Sequence, residues 1–477
     1  MEKPHKARYY PIEVTMASYE IDMCSGKLLP KVIAFALPLM LSGILQLLFN
    51  AADIIVVGQF TGKEAMAAVG STGSLNNLII NIFLGLSIGS SVLMARYYGA
   101  KEERNIHELV HTSILLSLLS GFVLVILGLI LARPLLSLMG TPYDVIDQAV
   151  LYMRIVFLGM PALMTYDFGA GILRAIGDTR RPLIFLFIAG IINVCLNLFF
   201  VIGFGLGVAG VAIATIISQY TSAALVVLCM MRSSASYHLS LKELKIYRPK
   251  LRQIIRIGLP AGVQGAVFSI SNVLIQSSIN SFGSVAVAGN TAASNIEGFV
   301  YTSMNSMYQA STSFTSQNVG ARKTERIVPI LATCLGCVTV IGLVMGGLAT
   351  LFSHQLLSIY SSDEEVIRIG MERLMYVCLP YFLCGLMDTA CGSIRGLGYS
   401  IAPTIVSLTG ACFLRIVWIY TIFQLDHTLV NLYISYPISW AVTFAAHMIC
   451  FIVFFRKWKD SDTRRHRISK AAANASI

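Results

Sequence analysis

Asp53 lies inside an apolar stretch, residues 47–62, that reads LLFNAADIIVVGQFTG. A carboxylate at the centre of a bilayer costs at least ~2.5 kcal/mol on insertion scales, so such residues usually serve ion or substrate pathways. The pattern makes Asp53 the first candidate for functional chemistry, as a proton acceptor or as a ligand for a hard cation such as Na⁺. Capping or kinking of a helix near the membrane surface is the structural alternative.

Glu297 is the second intramembrane carboxylate of interest, in the stretch SNIEGFVYTSMNSMYQ. A carboxylate among aromatic rings and thioethers suits a lipophilic cation, because opposite charges attract and methionine adapts its shape. Ordinary helix packing is the alternative for such a stripe. We predict a substrate-binding surface made of Glu297, Tyr301, Met304, Tyr308 and Gln309, with Met307 among their neighbours.

Two further aspartates occur in similar segments, DFGAGILRAIGDTRRP (167–182) and DTACGSIRGLGYSIAP (388–403). Asp167 and Asp388 each precede an arginine by seven residues, so we expect structural roles, pairing or capping near a cytoplasmic gate. Gly177 and Gly398 in these segments are expected to end helices. Arg415 lies within an apolar stretch, and the sequence does not identify its partner.

The composition predicts an all-α polytopic membrane protein. Of 477 residues 56% are hydrophobic and 12% are charged, and the mean hydropathy is +0.73; soluble domains carry about 25% charged residues. Apolar stretches long enough for a helix of ~20 residues to cross a bilayer number twelve: 29–58, 65–95, 109–133, 148–172, 182–203, 206–231, 252–279, 284–316, 328–352, 366–392, 401–423 and 429–455.

The distribution of Lys and Arg predicts that both termini are cytoplasmic, because positive charges collect in inner loops. The inner segments then hold most of the basic residues, Arg395 among them, and the outer side keeps five: Lys63, Arg133, Arg154, Arg368 and Arg373. A net charge of +11 does not indicate nucleic-acid binding, since the basic residues lie between apolar spans. The organisation expected is a cytoplasmic segment (1–28), a six-helix lobe (29–231), a basic linker (232–251), a second six-helix lobe (252–455) and a basic tail (456–477).

The chain repeats itself. FALPLMLSGILQLLFN (35–50) resembles IGLPAGVQGAVFSISN (257–272), and the two aspartate-containing segments are 221 residues apart. An even number of spans in each half gives both halves the same orientation, which predicts two pseudo-symmetric six-helix bundles in a parallel repeat with substrate between them. The proline shared by each first helix, Pro38 and Pro260, is expected to kink it and to act as a hinge.

The order of these motifs resembles the multidrug and toxic compound extrusion (MATE) transporters, bacterial drug-exporter branch. SGKLLPKVIAFALPLMLSGILQLLFNAADIIVVGQFTG, LRAIGDTRRP, GLGVAGVAIATIISQ and QNVGARK carry the resemblance, which covers residues 25 to 455. It implies a bacterial inner-membrane antiporter that exports cationic or amphipathic drugs in exchange for H⁺ or Na⁺, expected to act as a monomer without a cofactor.

The resemblance also implies a cation-coupling site at Asp53, with Asn193, Asn197 and Thr215. Some relatives carry an aspartate where this chain has Asn197, which leaves the choice between H⁺ and Na⁺ open. At 1.5 Å per helical residue, Asp53, Asn197 and Thr215 lie about 8–15 Å below the outer ends of their spans, so these three share a depth. Asn193 and Asn197, four residues apart, share a helix face. Hydrogen bonding between helices is the alternative role for the two asparagines.

Other functions fit the sequence less well. A flippase for a lipid-linked or polyanionic substrate needs several cavity-facing arginines, and Arg415 is the one that the sequence offers. A membrane-embedded enzyme is the next alternative. The chain contains an H-E-x-x-H pattern at residues 107–111, in a basic inner segment, and a G-x-S-x-G pattern at residues 85–89, inside the predicted span 65–95. Neither pattern by itself identifies an active site, and the second does not lie at the strand-to-helix turn of a serine hydrolase. Without a Walker A loop the chain is not an ATP-driven pump, so we expect a non-enzymatic transporter driven by an ion gradient.

Overall fold

The computed structural model describes residues 19–139, 141 and 143–475, and these residues form helices and connecting turns without strands. The α-helices are α1 Leu28–Phe60, α2 Lys63–Gly99, α3 Glu103–Leu138, α4 Tyr143–Leu158, α5 Met160–Ala175, α6 Arg180–Leu198, α7 Gly207–Arg232, α8 Arg248–Asn280, α9 Ser284–Gly320, α10 Thr324–Leu351, α11 Ser353–Ser358, α12 Glu364–Arg373, α13 Phe382–Gly396, α14 Ile401–Ser407, α15 Leu414–Tyr420, α16 Ile422–Leu425 and α17 Leu429–Ala475. Short π-helices at Phe199–Gly203, Leu374–Cys378 and Leu408–Phe413 and 3₁₀ turns at Leu241–Glu243 and Leu379–Tyr381 join some of them.

The helices account for the predicted membrane spans. Ten helical stretches of the described chain are long and apolar enough to cross a bilayer, and α4 with α5 forms an eleventh span that is bent by 48°. The remaining predicted span corresponds to α9, which has 37 residues. Helix α9 is long enough to cross a bilayer, but it contains too many polar residues to be recognised as a membrane span from hydropathy alone.

The polarity of α9 is explained by its position. It packs against α1, α2, α10 and α13, and its Ser, Thr and Asn side chains are buried among them: Ser303, Ser306, Ser311, Thr315 and Asn318. Polar side chains between helices hydrogen-bond to neighbours instead of facing lipid. The Ser311 hydroxyl, for example, donates to the Thr389 carbonyl of α13 at 3.0 Å.

Helices α1–α7 form an N-terminal lobe and α8–α17 a C-terminal lobe, and the repeat is visible in the backbone. Lys101 and Arg322, which are 221 residues apart, both adopt φ 56° in the turns after α2 and α9. Gly177 (φ 101°) and Gly398 (φ 96°) likewise end α5 and α13, as expected. Left-handed backbone at matching positions favours glycine and supports the parallel repeat.

Helices α2 and α8 join the two lobes through glycines. Gly85 and Gly89 of α2 face Gly258 and Gly262 of α8, and a Cβ atom at any of these positions would come closer than 3.0 Å to the opposing backbone. Glycines four residues apart let two membrane helices approach closely, with stabilisation from van der Waals contact. This crossing is therefore sensitive to added side-chain volume.

The ends of the lobes that the sequence assigns to the cytoplasm are in contact. The Gln317 side chain of α9 donates to the Ala175 carbonyl of α5 at 2.7 Å, and Arg96 donates to the Gly396 carbonyl at 3.4 Å. Residues 19–27 cover this junction. The Glu20 carboxylate accepts from Tyr98 of the N-terminal lobe at 2.7 Å, while Asn318 of the C-terminal lobe donates to the Met23 carbonyl at 3.1 Å.

Pro38 and Pro260 lie inside α1 and α8, and both helices continue through them. The Ser42 hydroxyl donates to the Pro38 carbonyl at 2.8 Å, one turn further along α1. The sharp bend in the described chain is instead the 48° break between α4 and α5. The hinge role of the two prolines stays a prediction.

A buried ion pair ties α9 to α12. The Arg373 guanidinium donates from Nε and Nη2 to the two oxygens of Glu297, each at 2.8 Å, and from Nη1 to the Asn290 side chain. Glu297 and Arg373 are each 5% exposed. Because both carboxylate oxygens already accept from a cation, Glu297 is a neutralised group in the packing of this lobe.

We predict that Gly85→Ala destabilises the protein, because the new methyl group must push the α8 backbone away. Overpacking of this kind costs about 1–3 kcal/mol. Gly73→Ala on the same helix is the matched control, since a Cβ there meets open space and alanine favours helix by about 1 kcal/mol. Thermal unfolding in detergent measures both; a Gly85→Ala variant as stable as Gly73→Ala would contradict the close packing.

We predict that Glu297→Gln is strongly destabilising, because it leaves Arg373 charged and buried without a counter-ion. Removing one partner of a buried pair costs about 3–5 kcal/mol. Glu365→Gln is the control, since its pair with Arg368 is exposed and 3.9 Å long. Thermal unfolding should show recovery when Arg373→Met is added to Glu297→Gln; equal stability of the two single variants would show that the ion pair contributes little.

Candidate functional site

The residues expected around Asp53 are brought together by α1, α6 and α7. The Asn197 amide donates to the Asp53 carboxylate and also to the Asn193 side-chain oxygen at 3.3 Å. The Asn193 amide donates to the Thr215 hydroxyl at 3.4 Å, and that hydroxyl donates to the Val211 carbonyl at 3.0 Å. One chain of hydrogen bonds therefore connects all four predicted positions, which we call the Asp53 cluster.

The Asp53 cluster has the chemistry of an ion site. Asp53 is 8% exposed and Asn197 is 0% exposed, so water does not screen the carboxylate. The Asn197 side-chain oxygen is buried without a hydrogen-bond partner. A carboxylate, amide oxygens and a hydroxyl are the oxygen ligands that hard cations prefer, and the same carboxylate can instead be neutralised by a proton.

Tyr152 of α4 is a neighbour that the sequence did not identify. Its side chain is 9% exposed and lies close enough to Asp53 for their charges to interact. No spacing rule links residues 99 positions apart on different helices. The nearby tyrosine adds a polar aromatic group beside the Asp53 cluster.

The predicted substrate surface on α9 divides into two faces. Tyr301 and Tyr308 line a cavity of 610 Å³ between helices of the C-terminal lobe and α2 of the N-terminal lobe. Met304 and Met307 are 2% exposed and belong to the packed core, and Gln309 accepts from Arg174 at 3.0 Å across the lobe junction. Glu297 does not line this cavity, so substrate contact by Glu297, Met304 and Gln309 stays a prediction without support from their positions.

The cavity is bounded by α2, α8, α9, α13, α15 and α17, and we call it the C-lobe cavity. Its aromatic wall consists of Tyr301, Tyr381, Tyr436 and Trp440, with Tyr381 stacked on Trp440 at a centroid distance of 5.1 Å. Its volume lies within the range of about 300–1,000 Å³ that is usual for small-molecule sites. It is therefore the candidate substrate site of the described chain.

Three charged side chains line the C-lobe cavity: Asp388, Arg395 and Arg415. We expected Asp388 to be structural and Arg395 to lie at the inner surface; the structure puts both on the cavity wall. Arg395 is 4% exposed, and it donates to the Tyr308 hydroxyl and to the Gln264 amide oxygen, each at 2.7 Å. Mean hydropathy does not show that a charged residue such as Asp388 or Arg395 faces a cavity, because it averages over all faces of a helix.

Arg373 lies elsewhere than the sequence predicts, whereas the position of Asp167 agrees with the structural role expected for it. We counted Arg373 among the outer-side cations, whereas it is buried against Glu297. Asp167 is half-buried on α5, and its backbone carbonyl accepts from Ser87 of α2 at 3.0 Å. That contact fits the structural role expected for this position, although the gating role of Asp167 stays a prediction.

One group of side chains in the described chain has the composition of a metal site: His107, His111 and Glu243. His107 pairs with Glu243 at 2.8 Å. Both ring nitrogens of His111 already have partners, the His107 carbonyl at 2.8 Å and the Ser240 amide at 3.1 Å. The group thus fastens the linker between the lobes to α3, and a metal would have to displace one of these bonds.

Comparison with known proteins identifies the family. The MatE family profile matches residues 38–199 and 260–421, which repeats the same unit in each lobe. "Probable multidrug resistance protein YoeA" of Bacillus subtilis is 30% identical over 86% of this chain and 90% of its own length. "FAD transporter" of Shewanella oneidensis is 26% identical over 69% of this chain and 73% of its own length.

Solved structures have the same fold. A MATE transporter in complex with MaL6 superposes with a TM-score of 0.85, at 24% identity over 92% of this chain and 98% of its own. An outward-facing multidrug resistance MATE transporter gives the same TM-score and the same coverage at 23% identity. With the family profile on both halves and a relative at 30% identity, this chain belongs to the MatE family of multidrug efflux transporters.

Proposed function

We propose that this protein is a secondary antiporter that exports amphipathic aromatic molecules in exchange for H⁺ or Na⁺ taken up at Asp53. The observation that carries the proposal is the chain of hydrogen bonds from Asp53 through Asn197 and Asn193 to Thr215. A carboxylate held by neutral oxygen and amide groups, without a basic partner among the described residues, can accept a proton or an ion. A carboxylate paired with arginine, as Glu297 is, has no such capacity.

The exchange follows from the differing charge of Asp53 in its two states. An ion that enters from outside neutralises the carboxylate and removes the cost of burying it, so the N-terminal lobe can pack more tightly around the site. Loss of the ion on the inner side restores the charged form. The cycle transports substrate only if the ion binds the two conformations with different affinity.

The membrane potential is large enough to drive this cycle. One net charge that crosses 100 mV supplies about 2.3 kcal/mol, which corresponds to a substrate gradient of roughly fifty-fold. A one-for-one exchange of equal charges would use the concentration gradient of the ion instead. The energy source expected from the sequence is therefore sufficient for either ion.

The inner ends of the lobes are in contact in this structure, so the C-lobe cavity is closed toward that side. Alternating access requires the bonds of Gln317, Arg96 and residues 19–27 to break when the lobes separate there. We place the protein in a bacterial cell membrane, as a monomer with both termini cytoplasmic, on the strength of the basic inner loops and the bacterial relatives.

Substrates are proposed to bind in the C-lobe cavity. Its aromatic wall suits planar ring systems, and Asp388 offers a carboxylate for the organic cations that the family resemblance implies. The relatives named for multidrug resistance and for FAD transport indicate that this scaffold accepts chemically different cargo. Ring stacking, which tolerates variation of the ring, accounts for breadth of that kind.

We predict that Asp53→Asn abolishes gradient-driven efflux while the protein stays folded, because asparagine keeps the shape of the side chain but neither titrates nor carries charge. Efflux of a cationic and of an anionic aromatic fluorophore is measured from proteoliposomes, with Na⁺ and pH gradients imposed separately. The wild type should respond to one of the gradients, and the variant should fall at least about tenfold below it.

Asp147→Asn is the matched control for that experiment. Asp147 is an aspartate of the same lobe whose side chain is 75% exposed beside Arg133, and its replacement should leave efflux unchanged. If folded Asp53→Asn protein exports at the wild-type rate under either gradient, Asp53 is not the coupling residue.

A further inference from the structure

Arg415 lines the C-lobe cavity with most of its hydrogen-bonding capacity unused in the described part of the chain. It is 3% exposed, and Nε donates to the Ser439 hydroxyl at 2.7 Å. Nη2 is buried without a partner. A guanidinium has five N–H donors in a planar fork, so most of its donors await an acceptor.

The other contacts of Arg415 are with aromatic rings. Its guanidinium carbon lies 4.3 Å from the Tyr436 ring centroid and 5.4 Å from that of Trp440. Rings hold the guanidinium plane in place but do not neutralise its charge. No carboxylate among the described residues forms a salt bridge with Arg415, in contrast to Arg373, which has Glu297.

Arg395 adds a second positive charge to the same cavity. Its bonds go to neutral groups, the Tyr308 hydroxyl and the Gln264 amide, and its Nε is buried without a partner. The cavity wall therefore carries two guanidinium groups against one carboxylate, Asp388. A buried excess of positive charge is costly and is relieved by an anion that enters the cavity.

We propose that the C-lobe cavity takes aromatic molecules that carry an anionic group, a carboxylate or a phosphate, and that the fork of Arg415 binds this group. The proposal rests on the proposed transport function and names the substrate class of its site. The rings lie against the wall formed by Tyr301, Tyr381 and Trp440, while the anion meets the terminal nitrogens of Arg415. A molecule with a separate cationic group can place that group beside Asp388.

Geometry favours an anion over a simple cation at this end of the cavity. A guanidinium binds the two oxygens of a carboxylate or phosphate through parallel hydrogen bonds, whereas a monocation would be repelled by Arg415 and Arg395 together. A role confined to packing would use the apolar stem and the ring contacts of Arg415. Such a role does not require the charge, and this difference can be tested.

The test compares matched pairs of probes with purified protein in detergent. Flavin mononucleotide and riboflavin share a ring system and differ by a phosphate; anthracene-9-carboxylate and anthracene-9-carboxamide differ by a carboxylate charge. Binding is followed by fluorescence titration without any gradient. We expect the anionic member of at least one pair to bind about tenfold to a hundredfold more tightly, the effect of a charge-assisted hydrogen bond.

Substitution of Arg415 then separates charge from packing. Arg415→Gln should remove the preference for the anion and leave the affinity for riboflavin unchanged, and Arg415→Lys should retain part of the preference. Arg154→Gln, an exposed arginine of the N-terminal lobe, is the control and should behave as wild type. A preference for the anion in the flavin pair would identify phosphate as the group that Arg415 binds, and a preference in the anthracene pair would identify carboxylate.

The proposal is overturned if wild-type protein binds neither anion more tightly than its neutral partner, or if folded Arg415→Gln keeps the preference. If Arg415→Gln does not fold, Arg415→Lys supplies the same comparison, because loss of the fork alone should reduce the preference. These measurements need no ion gradient, so failure of coupling at Asp53 leaves them interpretable, and an absent anion preference leaves antiport intact.

Discussion

A charged side chain inside a bilayer must find its partner within the protein, and this constraint explains much of the architecture. Glu297 meets it with Arg373, through two hydrogen bonds of 2.8 Å. The polar residues of α9 meet it by burial between four neighbouring helices. Asp53 and Arg415 have only neutral hydrogen-bond partners, Asn197 and Ser439. Their charges are therefore not neutralised within the protein and can be paired with an ion or a substrate.

The repeat supplies one scaffold twice, and each lobe uses it for different chemistry. Asp53 corresponds, 222 residues later, to Ile275, which is buried in an apolar cluster of the C-terminal lobe. The buried aspartate thus occurs in one lobe, whereas the two arginines that line the cavity belong to the other. Coupling between them must pass through the helices that join the lobes, above all the glycine-lined crossing of α2 and α8.

Hydropathy and internal repetition predicted most of the fold. The twelve spans, the two-lobe duplication and the helix-ending roles of Gly177 and Gly398 could be read from the sequence because each depends on local composition or on a constant offset. The Asp53 cluster was accessible through family resemblance, since its members occupy recognisable positions on three helices. Its geometry agrees with that expectation; its role in coupling is a proposal.

Tertiary partners could not be predicted in the same way. Glu297 and Arg373 are 76 residues apart in the sequence. Hydropathy scores each charged residue separately as unfavourable in a membrane, so it does not predict that the two form an ion pair. The C-lobe cavity gathers side chains from six helices, and the sequence does not show that these helices meet. Arg395 was therefore assigned to an inner segment, and Arg415 was left without a role. Which face of a helix meets a cavity depends on packing between helices, and the short π-helix before Arg415 changes that face locally.

The central claim is that Asp53 binds the coupling ion with different affinity in the two conformations of the transport cycle, so that substrate binding weakens ion binding. Counting ions tests this claim most directly. Linkage requires that a ligand which weakens ion binding releases the ion. Purified protein in weak buffer is titrated with a fluorophore that the wild type exports, while a pH indicator and a Na⁺-selective electrode record release. The account predicts about one ion released per substrate bound by wild type and none by Asp53→Asn; equal release from both proteins would contradict it.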